Sequence, residues 1–192
     1  MTLKGIKPGD VFLLRTRGRW YSDAIAWFMG PDLGGLSWSH SGLVRAVSGE
    51  LGPITLETSD FEVTYGSLAK YQAHPDRYHL RVYRLDLMTD PKMRRALLET
   101  DLALYGKIYG YLQLLSFGIR RLLKRVNLHI SNFIRQGQVC TAVPLHFLRA
   151  AKHPYFRDVD PEALDTVEFA DMLIWMEGRG RAKLVFESGR QG

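Results

Sequence analysis

The order of strand-like and helix-like segments predicts an α+β fold, with a mostly antiparallel sheet packed against helices. Three observations carry this. Short β-type runs bounded by glycine and proline turns occupy the chain up to Leu85. Helical spacing takes over from Asp90. A last strand-like run, 182–186, follows the turn Gly178-Arg179-Gly180. The length, 192 residues, suits one domain with a sizeable core, and residues 1–192 are expected to form it.

Each element has a local reason. Lys7-Pro8-Gly9-Asp10 is a turn, and Val11-Phe12-Leu13-Leu14 after it reads as a buried strand. Ser22 is placed to cap a short helix running to Phe28, and the residues from Gly30 to Gly35 form a loop. Ser39 to Val47 is a strand that contains His40. A Gly52-Pro53 turn leads into the strand Ile54-Thr55-Leu56-Glu57, and Phe61 to Tyr65 is a third short strand. Tyr78 to Leu85 alternates apolar and polar, as a strand with one wet face does. Asp90-Pro91 is an N-cap followed by proline at the first helical position. Met93, Leu97, Leu104 and Ile108 then repeat at helical spacing, with Gly106 and Gly110 as interruptions. From Tyr111 to Val126 an apolar side (Leu112, Leu115, Ile119, Leu122, Val126) opposes a basic one (Arg120, Arg121, Lys124, Arg125). Cys140 to Ala151 is an apolar helical segment with Pro144 near its first turn. Another helix is expected around Glu168 to Met176.

Composition narrows the classes of function. Apolar content of 46% and charged content of 24% are those of an ordinary globular chain. One cysteine rules out an intrachain disulfide framework and a cysteine-rich zinc site. The N-terminus has no apolar run of the secretory kind, and no stretch approaches the ~20 apolar residues of a membrane span. Synthesis in the cytoplasm is therefore expected, with virion association or export by a non-classical route left open. There is no phosphate-binding glycine loop, dinucleotide fingerprint, HExxH or paired CxxC, and no cofactor is expected. Net charge is +6, and no Asp or Glu occurs between Leu102 and Arg157, a stretch that contains Cys140. Such a field favours a thiolate and attracts anionic partners. Nucleic acid is not an expected partner, because charge stands without an aromatic RNA-binding motif.

The candidate chemistry centres on Cys140 and His40. A free thiol has a pKa of about 8.5, so a neutral-pH nucleophile needs help. A helix N-terminus, a nearby imidazole and a basic setting each supply some. The plain alternative for Cys140 is a small buried hydrophobe. Of six histidines, His74, His129 and His153 sit in polar or turn-like settings, and His146 points away from the thiol. His79, on the alternating strand, competes with His40 for the role of base. His40 is preferred because its strand looks buried and Gly42 leaves room beside it. A base needs an orienting partner, and Glu57, at the end of an apolar strand, suits that role better than Asp60 or Glu62 in a polar segment. The Cys140 backbone N–H is the default oxyanion donor and Gln138 a second candidate.

These pieces fall into a recognisable order: Pro8-Gly9-Asp10-Val11-Phe12, then Ser39-His40-Ser41-Gly42-Leu43-Val44, Leu56-Glu57-Thr58, Val82-Tyr83-Arg84-Leu85, Tyr109-Gly110-Tyr111 and Val139-Cys140-Thr141-Ala142-Val143. In that order they resemble the permuted papain-like cysteine hydrolase superfamily, which includes the NlpC-type cell-wall peptidases, and within it the YiiX-like and lecithin:retinol acyltransferase-like branch. The resemblance implies a circularly permuted papain-like fold with the nucleophile at a helix N-terminus. It implies Cys140 as nucleophile, His40 as base and Glu57 as orienting residue. It also implies an amide in peptidoglycan stem peptides as substrate, in a phage virion component or an exported effector, with a virion or immunity protein as partner. Thr141 stands where the family has serine, and the setting of the cysteine is basic. Two alternatives stay open. One is acyl-lipid hydrolysis or transfer on an anionic membrane, suggested by the stretch Tyr111 to Val126. The other is a non-catalytic interaction module that keeps the fold.

Overall fold

Val11-Phe12-Leu13-Leu14 is apolar at every position, and a strand of that kind needs cover on both faces. It receives it. In a computed structural model, which describes residues 3–59, 62–86, 90–108, 119, 123 and 140–189, the strand β1 (Val11–Thr16) lies inside a six-stranded sheet. The other strands are β2 (His40–Ser48), β3 (Gly52–Ser59), β4 (Glu62–Ser67), β5 (Tyr78–Leu85) and β6 (Ala182–Ser188), in the spatial order β4-β3-β2-β1-β5-β6. Every neighbouring pair is antiparallel. The helices are α1 (Trp20–Met29), α2 (Leu68–Gln72), α3 (Asp90–Leu104), α4 (Ala142–Ala150) and α5 (Thr166–Glu177). The architecture is α+β, as the alternation of segments predicts.

Side chains alternate across a strand, so β1 feeds two cores. Val11 and Leu13 join Leu43, Leu56 and Tyr83 against α3, α4 and α5, through Leu97 and Leu104, Val143 and Phe147, and Phe169 and Leu173. Phe12 and Leu14 join Val44, Leu80, Val82 and Phe186 on the other face, covered by Leu68 and Tyr71 of α2. A third cluster, of Met29, Ala142 and Val167, ties the end of α1 to the starts of α4 and α5. Asp10 and Arg84 bridge β1 to β5: the guanidinium donates to both carboxylate oxygens at 2.8 Å, while Lys7 N–H donates to Asp10 Oδ2 at 2.7 Å.

Several local expectations need correction. Ser22 does not cap α1; the helix starts at Trp20 after Arg19, and the Ser22 hydroxyl donates to the Thr16 carbonyl at 2.8 Å. The helix from Asp90 ends at Leu104, just before the interruption expected at Gly106, so Ile108 lies outside it. Gly106 takes φ 76°, and Ile108 forms an isolated bridge with Glu62. Cys140 precedes α4 rather than beginning it, and Thr141 is the N-cap residue, without a side-chain cap bond. Pro144 is then the third helical residue, where no intrahelical N–H partner is lost. The short helix α2 has too few residues for a periodic signal, and the sequence reading missed it. Gln138, Asp60, Phe61, His129, the tyrosine pair at 109 and 111 and nearly all of the stretch Tyr111 to Val126 lie outside the described residues.

Helix α5 carries a capping box. Asp165 accepts from the N–H groups of Val167 and Glu168 at 3.0 and 2.9 Å, and Glu168 accepts from Asp165 N–H at 3.1 Å. Asp165→Ala is expected to lower stability by about 1 kcal/mol. Urea unfolding checks this: the midpoint should fall with an unchanged slope.

Candidate active site

Glu57 has no exposed surface, yet it is a carboxylate in a sheet face. An isolated buried charge of that kind costs several kcal/mol, so it must be paired and bonded. Four donors meet it, two on each oxygen. His40 Nε2 lies 2.9 Å from Oε2, and the Tyr71 hydroxyl donates to the same oxygen at 2.5 Å. The Thr55 hydroxyl donates to Oε1 at 2.8 Å, and Lys70 Nζ stands 3.2 Å from it. Burial pushes the carboxyl up, but the bond to His40 and the charges of His40 and Lys70 outweigh it and bring it down to about 2.

The elements explain the convergence. Gly42 pairs with Glu57 across β2 and β3, and His40 lies two residues before Gly42, so both project from one face. A Cβ at Gly42 would meet the Phe12 ring at 2.5 Å and Glu57 Cβ at 3.0 Å. Glycine there lets Phe12 pack beneath His40, with ring centroids 5.9 Å apart. Gly66 on β4 does the same on the other flank, since a Cβ would run into Glu57 Oε1. The chain then turns into α2, capped by Ser67, and that turn brings Lys70 and Tyr71 over the carboxylate. None of these second partners of Glu57 was picked out from sequence.

His40 opens β2 and is partly exposed, its side chain at 16%. With Nε2 given to Glu57, Nδ1 is the ring nitrogen left for the thiol of Cys140, with which the ring interacts by hydrogen bond and by charge. Burial would push His40 down, but its bonds to Cys140 and Glu57 raise it to about 9. Cys140 is buried, which would push its thiol up. The bond to His40 and the imidazolium charge outweigh that and lower it to about 7. Two more donors reach the sulfur. The Thr166 hydroxyl, in the first turn of α5, is 3.4 Å away, and Ser41 offers its backbone N–H. The β2–β3 ladder ends at the Gly42–Glu57 pair, so the Ser41 N–H beyond it goes to sulfur instead of to a strand. The sequence carried no signal for Thr166 beyond the Asp165 and Glu168 cap beside it.

The other candidates separate. His79 is on β5, two strands from β2, and is held 2.9 Å from Glu187 and against the Trp38 ring. Burial pushes it below the usual histidine range. Glu62 is exposed on the edge strand β4. His153 is buried among Tyr155 and Phe156 rather than lying in a polar setting, because the chain after α4 folds back on the core. Among the described residues, no group of three or more His, Cys, Asp and Glu side chains is placed to hold a metal ion. The constellation that remains is thiol, imidazole and carboxylate in series, able to hold a thiolate–imidazolium pair near neutral pH.

Two outcomes follow from these ionisations. The depressed Glu57 carboxyl stabilises the fold fully above its ordinary value of 4.5, and that contribution is lost as pH falls from 4.5 through about 2. Urea midpoints of wild type and Glu57→Gln should therefore differ most above pH 4.5 and converge towards pH 2. Alkylation of Cys140 by iodoacetamide should rise through pH about 7. In His40→Ala the thiol loses its largest stabilising partner, and the rate at pH 7 should drop by roughly 10- to 100-fold.

No family model and no curated protein matches the chain. Among solved structures, it is similar to the metalloprotein yiiX from Escherichia coli O157:H7, with 15% sequence identity and a TM-score of 0.48, over 96% of this chain and 98% of that one.

Proposed function

We propose that the chain is a cysteine hydrolase acting through an acyl-enzyme. One observation carries the reading: the buried Cys140 thiol, the His40 imidazole and the buried Glu57 carboxylate stand in series, with the thiol drawn down to about 7 and the imidazole up to about 9. Between those values the pair is thiolate and imidazolium. The thiolate attacks a carbonyl carbon, and the S–C bond forms as the carbonyl π pair moves to oxygen. The intermediate collapses, the bond to the leaving amine breaks, and His40 gives that nitrogen its proton. Neutral His40 then takes a proton from water as the water attacks the thioester. Collapse releases the acid and restores the starting pair. Glu57 keeps the ring oriented and stabilises its charged form throughout.

The proposed substrate is an amide in peptidoglycan stem peptides, cleaved by an amidase or endopeptidase in a virion or an exported protein. The motif order around Cys140, His40 and Glu57 supports it, as does a net charge of +6 facing an anionic polymer. A different observation favours a second reading, acyl-lipid hydrolysis or transfer at an anionic surface. Leu98 and Leu102 of helix α3 and Tyr105 just past its end are exposed at i, i+4 and i+7, with the Tyr65 ring tilted against Tyr105 at 4.9 Å between centroids. Beside this stripe Glu99 pairs with Arg95 and Asp101 with Arg45, and the exposed Arg94 and Lys107 stand near its two ends. An apolar stripe edged by cations suits a lipid interface.

The test treats purified peptidoglycan and anionic phospholipid vesicles separately with wild type and Cys140→Ala. New amino groups are expected from peptidoglycan with wild type alone, with a bell-shaped rate between pH about 7 and about 9. Free fatty acid from the vesicles would instead select the second reading. Product from neither substrate, with the wild-type fold intact, would sink both and leave the non-catalytic module.

A further inference from the structure

Two hydroxyls at the end of the β2–β3 ladder are buried and have no hydrogen-bond partner among the described residues. Ser41 has no exposed surface and Thr58 is 5% exposed, and neither Ser41 Oγ nor Thr58 Oγ1 has a hydrogen-bond partner among the described residues. A buried hydroxyl without a partner costs about 1–3 kcal/mol, and such groups in folded proteins are uncommon. Their placement is specific. Thr58 follows Glu57 and would oppose Ser41 if the β2–β3 ladder ran one pair further. The ladder stops there, and the Ser41 N–H goes to the Cys140 sulfur. Ser41 pairs with Leu13 across β1 and β2, so its side chain lies on the face that packs against α4. Cys140 immediately precedes the cap of α4 and lies against that same residue. The sulfur takes its bonds from His40, the Thr166 hydroxyl and the Ser41 N–H, and the Ser41 hydroxyl is left unused.

We propose that Ser41 is a further catalytic residue, whose hydroxyl donates a hydrogen bond to the oxyanion that forms when Cys140 attacks a carbonyl. The inference rests on the acyl-enzyme reading. In the resting protein the hydroxyl has no acceptor among the described residues, because the acceptor arrives only with the acyl group. As the S–C bond forms, the carbonyl π pair becomes a full charge on oxygen within reach of residues beside the sulfur. A donor already desolvated at that point stabilises the transition state more than the ground state. Adjacent residues of β2 then divide the work: His40 handles the proton, the Ser41 N–H holds the thiolate, and the Ser41 hydroxyl receives the charge.

The experiment compares two reactions of the same sulfur. Acylation by p-nitrophenyl acetate forms a tetrahedral oxyanion and releases p-nitrophenolate as the S–C bond forms and the aryl ester C–O bond breaks. Alkylation by iodoacetamide displaces iodide at a saturated carbon and forms no oxyanion. In Ser41→Ala the p-nitrophenolate burst is expected to slow by roughly 10- to 100-fold. The alkylation rate and its pH profile should match wild type. Ser41→Gly should behave alike, and serves if the alanine variant does not fold. A burst rate within twofold of wild type would overturn the proposal. So would a parallel fall in alkylation or a shift of its pH profile, since the hydroxyl would then be serving the sulfur. A wild type that alkylates with His40 dependence yet gives no burst would overturn the acyl-enzyme reading, and the Ser41 role with it.

Discussion

The buried Glu57 carboxylate is the interaction on which the site depends. A charge with no exposed surface is tolerable only when its neighbours supply bonds and opposite charge. That demand reaches into four elements. β3 supplies Thr55 beside it, β2 supplies His40, and α2 supplies Lys70 and Tyr71. Gly42 and Gly66 keep the flanks clear. The His40 ring is fixed by this arrangement before any substrate is present. Its Nε2 is committed to Glu57, which leaves its other nitrogen for the sulfur. Orientation of the imidazole is thus a consequence of how the sheet accommodates one buried charge.

Cys140 comes to this place by a separate route. It arrives with α4, whose apolar residues pack on the opposite face of the sheet from Phe12 and Tyr71. The two halves of the site meet at the start of β2, where the ladder to β3 ends and the Ser41 N–H becomes available. The starts of α4 and α5 and the end of α1 are clamped together by Ala142, Val167 and Met29. That clamp also brings Thr166 to the sulfur. Burial works against both charged forms here. The thiolate and imidazolium persist because each supplies what burial removes from the other.

Much of this was legible in the chain. Strand periodicity located β1, β2, β3 and β5 within a few residues, because alternating or wholly apolar runs between glycine and proline turns have few other uses. The pairing of His40 with Glu57 was readable from two adjacent strands and a glycine between them. Other parts were not. α2 is a single turn and a half, stabilised by the core it covers rather than by its own sequence, so Lys70 and Tyr71 escaped notice. Ser41 and Thr166 meet Cys140 through contacts between residues far apart in sequence, and local pattern says nothing about those.

By itself, then, the sequence determined the α+β class and the strands and nominated Cys140, Glu57 and two competing histidines, since each follows from short-range periodicity and residue chemistry. Tertiary structure alone decided which histidine faces the thiol. His40 and His79 both sit on strands that pair with β1, one on each side of it. Only the packing of α4 over the β2 side brings the sulfur to His40, while Glu187 and Trp38 occupy His79 on the other. Strand order and helix placement are set by the burial of two apolar faces at once, a property of the whole chain.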